Sequence, residues 1–475
     1  MKQHYNRLSD NRYIYDRAVL KCFKDKWRRN DVLSFIEKYA GIPRHEILLY
    51  ELEIMEDKES RQDHRTILEA VESSGLALEE VITQILDGQR PYIDPVRVRK
   101  RPDGMTGKIR DIALLSIMHQ LTQHTVYLLM EPLFKARLYQ TQHASIPGGG
   151  QTRLKNQVHK YLRSSLPVSY AQKTDMEQAY KSLTYKKVIE LVKKDIPSAR
   201  EIITLLEFLG ELAPDGHLII GGYLDAWLFN YAMSNVLRYA YTLGQTRRGK
   251  FERYAKRLVT FMDDLLILTS SVKAAKRLTD KIRSFAGKAL GMTLKITTGI
   301  LKLLPAKEEK RRRGEKSKAA RGCPVIDMAG YKICRSHVMI RRRVFIRVRR
   351  QLLRGWKDLQ RTGTLSLQRA HEIIARNGFL EQSDSKYVKN KYHVAKLLDV
   401  ATRVISFHNR LVHRKRMEEL YDLRKRTVQY ITGLGDNRGT AGWPAESHPY
   451  KKCLRRTGRR TEAIPVRRGN LLYAG

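Results

Sequence analysis

Apolar and polar positions alternate along this chain in ways that predict distinct elements in turn. In NDVLSFIEKYA and HRTILEAVESSGLALEEVITQILDG, apolar residues recur at helical spacing among charged ones, with Asn30 or Asp31 and Ser73 or Ser74 placed to cap helices. From Val96, VRVRKRPDGMTGKIRDIALLS alternates basic and apolar residues around Pro102-Asp103-Gly104 and Gly107, which predicts a β-hairpin with cations along one edge. IMHQLTQHTVYLLMEPLFKARLY then reads as a long amphipathic helix ending near HASIPGGGQ. In LPVSYAQKTDMEQAYKSL, the residues from Val168 to Thr174 read as a strand and EQAYKSLTYKKVIELVKK as the start of a helix. Two short aliphatic and β-branched runs in RLVTFMDDLLILTSS, residues 257 to 271, predict a buried hairpin with Asp263 and Asp264 at its tip. Further on, VKAAKRLTDKIRSFAGKALGMTLK returns to helical spacing, and PAKEEKRRRGEKSKAARGC is a charge run of the kind that forms a solvated loop. From about residue 411, repeated cations with glycine and proline predict a mobile RNA-binding tail.

Composition narrows the partners. The 475 residues exceed one compact domain and suffice for two or three with cores of their own. A formal net charge of +42 selects polyanions, nucleic acid first among them, although a ribosome-bound or scaffolding role fits the same field. Cys22, Cys323, Cys334 and Cys453 form no C-x-x-C pair and no zinc spacing, so reduced thiols in a cytoplasmic protein are expected. No stretch approaches the roughly 18 consecutive apolar residues of a membrane span, and MKQHYNRLSD is no signal peptide, so a soluble intracellular protein is expected. Gly148 to Gly150 are not followed by G-K-[ST], which rejects a Walker-type phosphate loop.

The acidic pair carries the chemistry. Two acids in a turn are ordinary alone, but between apolar strands they cost free energy unless a cation neutralises them, and divalent cations do so best. Asp175, at the end of the upstream strand, can face Asp263 across a sheet. Three carboxylates could then hold two metal ions roughly 3.5 to 4 Å apart. A two-metal nuclease would want more acids, or a histidine, near the cluster.

The series Asp175-x-x-x-Ala179-Tyr180, followed by Phe261-Met262-Asp263-Asp264, resembles motifs A and C of the reverse transcriptases, in particular the bacterial retroelement type. GKIRDI is similar to the G-K-x-R-x-I of the fingers, and IIGGYLDAWLFN aligns with motif B through Gly221 and Asn230. At the position that is Gln in retroviral and group II intron enzymes stands Ile220, as in diversity-generating retroelements, while the S-Q of that branch is Asp225-Ala226 here. GMTLKIT resembles motif D, and VIDMAGY motif E.

The resemblance covers roughly residues 96 to 395. It implies an α+β right-hand polymerase: a helical N-terminal extension over 1–95, fingers and an antiparallel palm over 96–330, a helical thumb over 331–410 and a basic tail over 411–475. The activity implied is RNA-directed DNA synthesis. Asp175 and Asp263 would bind two Mg²⁺ ions, with Mn²⁺ as a substitute, and Asp264 would support them. Lys108 and Arg110 would clamp the triphosphate, and Tyr180 would exclude ribonucleotides. Ile220 and Gly221 would line the nucleotide, with low fidelity opposite template adenines. Lys295 or Lys302 is the candidate general acid for pyrophosphate, and Gly330 with Tyr331 the primer grip. SIPGGG would lie near the template. Partners implied are template RNA, cDNA, dNTPs, a structured non-coding RNA and a small accessory protein. Phage-defence and orphan mobile-element enzymes share these motifs, and an inactive basic RNA-binding scaffold is the alternative from another class.

Overall fold

The alternation after Val96 produces a hairpin, β1 (Arg97–Pro102) antiparallel to β2 (Ile109–Leu114), with Arg101 opposite Arg110. Every residue of β1 is exposed, so this ribbon projects from the body. The computed structural model of the protein describes residues 5–11, 13–48, 65–102, 109–165, 167–314 and 324–432. Lys108 and the turn signals Asp103, Gly104 and Gly107 lie outside the described residues, as do Cys323 and Cys453.

The main sheet is organised on β3 (Tyr170–Met176). A small hairpin, β4 (Gly244–Arg247) with β5 (Lys250–Arg253), precedes the strands that join it. β6 (Arg257–Phe261) and β7 (Asp264–Thr269) form the predicted hairpin, and β7 lies antiparallel to β3; β8 (Leu294–Ile296) and β9 (Leu301–Lys302) pair with the other edge of β3. Successive side chains of a strand point to opposite faces. Leu258, Leu265 and Ile267 therefore enter one apolar cluster, while Ala171, Val259, Leu266 and Leu268 enter another on the opposite face. Both faces are covered, which is why these strands read as continuous apolar runs.

The first cluster also takes in the N-terminal helices. Ile14, Phe23, Ile36, Leu78 and Ile82 share it with Leu128, Leu205 and Leu237, so the helices described within 1–95, expected as an extension, pack into the same core. Neither predicted cap forms there. Helix Asn30–Ala40 starts behind Arg29 without a side-chain cap, and Asp31 pairs with that arginine instead. Helix Arg65–Leu86 runs unbroken through Ser73 and Ser74. Val71, Ser74, Leu78 and Ile82 fall on one buried stripe, and burying that stripe outweighs the local preference of serine for a helix start.

On the opposite face, helix Gln151–Arg163 packs Leu154, Val158 and Leu162 against a second sheet: β10 (Ile326–Met328), β11 (Tyr331–Ile333) and β12 (Val338–Ile340). The expected boundary at residue 330 cuts this sheet between β10 and β11, which pair antiparallel; residues 331–340 belong with the sheet core rather than with the thumb. A third cluster follows in helices Arg342–Thr362, Leu367–Glu381 and Val394–Thr432. The expected tail from residue 411 begins as the continuation of the last of these helices through Thr432; residues 433–475 lie outside the described residues. The α+β class, with an antiparallel central sheet, a projecting basic hairpin and a helical unit after the sheet, is thus the one expected from sequence. No helix among the described residues is long and apolar enough to cross a membrane.

Candidate active site

The two acidic motifs meet because of strand register. Phe261 pairs with Asp264, so Met262 and Asp263 form the two-residue loop between β6 and β7. Asp264 stands directly opposite Asp175 on β3. Directly opposed residues project on the same face. Met176 N donates to the Asp263 carbonyl at 3.0 Å, which fixes the loop beside the end of β3.

The loop itself is held in an unfavourable backbone state. Met262 has φ of 52°, the left-handed region that a bulky L-residue avoids. Its sulfur compensates, as the acceptor for the Tyr180 hydroxyl at 3.9 Å and the Asn230 Nδ2 at 4.0 Å. Asn230 Nδ2 also donates to the carbonyls of Ala144 and Ala226. One residue from each of the two other motif segments therefore grips the loop that presents Asp263. Sulfur acceptors are weak, but a polarizable, unbranched side chain is suited to such an irregular contact.

Burial first, then the neighbouring carboxylates of Asp263 and Asp264, pushes the Asp175 carboxyl up from 3.8 to about 6. Burial likewise raises Asp264, opposed by Lys173, whose ammonium lies 2.7 Å from Asp264 Oδ1. Lys173 is two residues before Asp175 on the same strand face. It was not singled out from sequence, yet a K-x-D pair in a strand is the available signal. The donor set fits hard divalent cations: carboxylate oxygens, short of counter-charge, with a lysine ammonium standing in for a cation on one of them. The folded chain holds these protons more tightly than the unfolded one, so metal-free stability is expected to fall as pH rises from about 4 through about 6. Added Mg²⁺ is expected to raise the melting temperature above that window and progressively less within it. Scanning fluorimetry across pH, with and without Mg²⁺, checks this, and an equal Mg²⁺ effect on both sides of the window would contradict it.

Around the acids, the other candidates are placed as follows. Tyr180 lies in the short helix Ala179–Ser182, its ring stacked on Phe229 at 5.3 Å and 16°. Burial, then Asp225 and Asp263, raises its hydroxyl far above the ordinary value. Lys295 on β8 is directly opposite Asp175, exposed and on the same face. Lys302 is opposite Tyr170, roughly 17 Å down the strand, and is not brought to the acids. Arg110 is exposed on the ribbon, whose base is tied down twice: Lys181 pairs with Asp111 at 3.0 Å, and Ala113 N donates to the Ile220 carbonyl at 2.8 Å. Gly221 has φ of 114°, and a Cβ there would come 2.9 Å from the Ala113 carbonyl, so both conformation and space demand glycine. The Gly148–Gly150 turn is tight, with Gly149 N bonded to the Ile146 carbonyl at 2.9 Å.

Asp225, which from sequence is only a departure from the S-Q pattern, is the best-tied acid of the region. It is fully buried and accepts from Gln123 Nε2 at 2.8 Å, Ile219 N at 3.0 Å and the Tyr185 hydroxyl at 3.1 Å. Burial raises it to about 6 against these three donors. Its role is to hold the 219–222 segment against two helices. Gly330 has φ of 87° in the β10–β11 loop, and Tyr331 is buried, edged by Phe379 at 5.5 Å and capped by the Lys155 ammonium at 5.7 Å.

No family model and no curated protein matches this sequence. Solved structures do. Telomerase from Candida tropicalis, truncated from its C-terminal domain, is 12% identical with a TM-score of 0.34, over 56% of this chain and 60% of that one. Telomerase from Candida albicans, in complex with a TWJ fragment of telomeric RNA, is 11% identical with a TM-score of 0.35, over 67% and 62%. The Sicinivirus RNA-dependent RNA polymerase is 15% identical with a TM-score of 0.30, over 48% and 50%. The chain thus spans 50% to 62% of the length of these three structures.

Proposed function

We propose that the chain is a template-directed nucleotidyltransferase, and within that class an RNA-directed DNA polymerase of the bacterial retroelement type. The observation that carries the reading is the acidic register: Asp175 opposite Asp264 across β3 and β7, with Asp263 on the loop of the same hairpin, its carbonyl bonded to Met176 N beside Asp175. Two Mg²⁺ ions, when bound, would activate a primer 3′ hydroxyl and offset charge on the triphosphate and departing pyrophosphate. The residues that would hold them are Asp175 and Asp263, with Asp264 released from Lys173 in support. The rest of the site positions the reactants. Arg110 meets the triphosphate from the ribbon, Lys295 stands beside the acids to protonate pyrophosphate, and Tyr180 sits as a flat wall under the sugar.

The helical unit after the sheet supplies a phosphate-binding face. Arg343, Arg350, Arg354, Lys357 and Arg361 are exposed at three-, four- and seven-residue spacing, opposite the buried Val344, Val348 and Leu352. Such a stripe contacts backbone without reading sequence. It suits a template RNA paired with cDNA, and a structured non-coding RNA or a small accessory protein belongs to the same reading. Ile220 places a half-buried aliphatic side chain where an amide would contact the nucleotide, which favours relaxed base selection opposite template adenine, as in diversity-generating retroelements.

The test is extension of a DNA primer on a defined RNA, with Mg²⁺ and either deoxy- or ribonucleotides. Extension with dNTPs alone is expected of the natural chain. Tyr180→Ala is expected to raise ribonucleotide incorporation roughly 10- to 100-fold. A folded chain that binds the RNA but extends nothing would instead be the basic scaffold.

A further inference from the structure

Away from the aspartates lies a cluster that the polymerase reading does not use. Glu309, on helix Ala306–Gly314, and Cys334 and His337, at the loop between β11 and β12, bring one ligand atom each within 4.8 Å of one another, and all three are buried. Among the described residues this trio meets that criterion, whereas the three aspartates, with Asp264 drawn to Lys173, do not.

Hairpin geometry sets the pair. Cys334 N donates to the His337 carbonyl at 3.0 Å, closing a two-residue loop of Arg335 and Ser336. Opposed residues flanking such a loop project on one face. Cys334 Sγ and His337 Nε2 are 3.8 Å apart. Zinc bonds of about 2.3 Å to sulfur and 2.0 Å to nitrogen, at a tetrahedral angle, require roughly 3.5 Å. The other ring nitrogen, Nδ1, bonds the Ser336 hydroxyl at 2.7 Å, the kind of outer contact that orients a metal-bound imidazole.

Glu309 supplies an independent sign. Its Oε2 accepts from Ser336 N at 2.8 Å, but Oε1 has no hydrogen-bond partner although the residue is only 1% exposed. A buried carboxylate oxygen left unpaired is costly, and a cation removes that cost.

We propose that Glu309, Cys334 and His337 bind one zinc-class divalent ion, with the fourth position open to water. Thiolate and imidazole donors select zinc over the magnesium suited to the aspartates. The ion clips a helix to a loop that is already anchored: Arg335 donates to the Leu162 and Val168 carbonyls, and Val338 N donates to Asp384 Oδ2 at 2.7 Å at the edge of the helical unit. The ion ties these elements together, and the proposal rests on no assumption about polymerisation.

The experiment is elemental analysis of the purified full-length chain, together with cobalt(II) replacement read as a near-ultraviolet thiolate-to-cobalt charge-transfer band. About one zinc per chain and the cobalt band are expected in the natural protein and in Asp175→Asn, with loss of both in Cys334→Ser. If Cys334→Ser does not fold, the cobalt band of the natural protein decides alone. A folded natural protein with neither zinc nor the band, or loss of the metal in Asp175→Asn, overturns the proposal and leaves a buried S–H to imidazole contact.

Discussion

Asp263→Asn is expected to lower RNA-templated primer extension by on the order of 10³-fold, the scale of losing one preorganised electrostatic group at a reacting centre. The amide keeps the shape of the side chain, and the loop is held by other atoms: the Met262 sulfur, its two donors, and the bond from Met176 N to the Asp263 carbonyl. The fold should therefore survive. Removing one of three crowded carboxylates even relieves repulsion on Asp175, so the metal-free melting temperature is expected to stay level or rise. Activity lost while stability is kept is the pattern of a residue that acts on substrate. Asp175→Asn should behave alike, and the double variant should cost little more than either single one, because the two serve one function. Primer extension and thermal melting on the same preparations check this, and substantial activity in Asp263→Asn would remove the central argument for polymerisation.

Asp225→Ala is expected to do the reverse, costing at least about 3 kcal/mol of stability. Truncation strands three donors at a fully buried position: Gln123 Nε2, Ile219 N and the Tyr185 hydroxyl. Asp225→Asn should be intermediate. One amide oxygen can still accept from Ile219 and Tyr185, both of which bond Oδ1. The new NH₂ then meets the Gln123 NH₂, and turning Gln123 over would sacrifice its bond from Leu224 N at 3.2 Å. Denaturant unfolding of the three proteins gives the order directly, and an Asp225→Ala midpoint equal to that of the natural chain would contradict the account.

These two aspartates mark what was legible in the sequence. Asp263 and Asp264 could be read because they interrupt an apolar run, and Asp175 because it ends a strand, so that strand pairing carries the geometry with it. Asp225 could not, because its partners lie 102, 40 and 6 positions away and converge only when two helices pack. The serine caps failed for a related reason: the apolar stripe through Ser74 continues on both sides, and burial of the whole stripe overrides a local signal. Lys173 and the Cys334-x-x-His337 pair were readable in principle. The first needed the strand period applied to a cation as well as to acids. The second needed a cysteine and a histidine to be considered together across a two-residue loop, rather than cysteine spacings alone.

The double tie at the root of the basic ribbon has a mechanical consequence. With Ala113 hydrogen-bonded to Ile220 and Asp111 paired to Lys181, the proximal end of β2 moves with the sheet and cannot pivot against it without breaking both links. Any folding-down of the ribbon onto a substrate is then a flexure of the strands beyond a clamped base. The restoring force of such a cantilever lies in the ladder beyond the clamp, where Arg101 and Pro102 pair with Arg110 and Ile109, so its stiffness is adjustable without disturbing the aspartates.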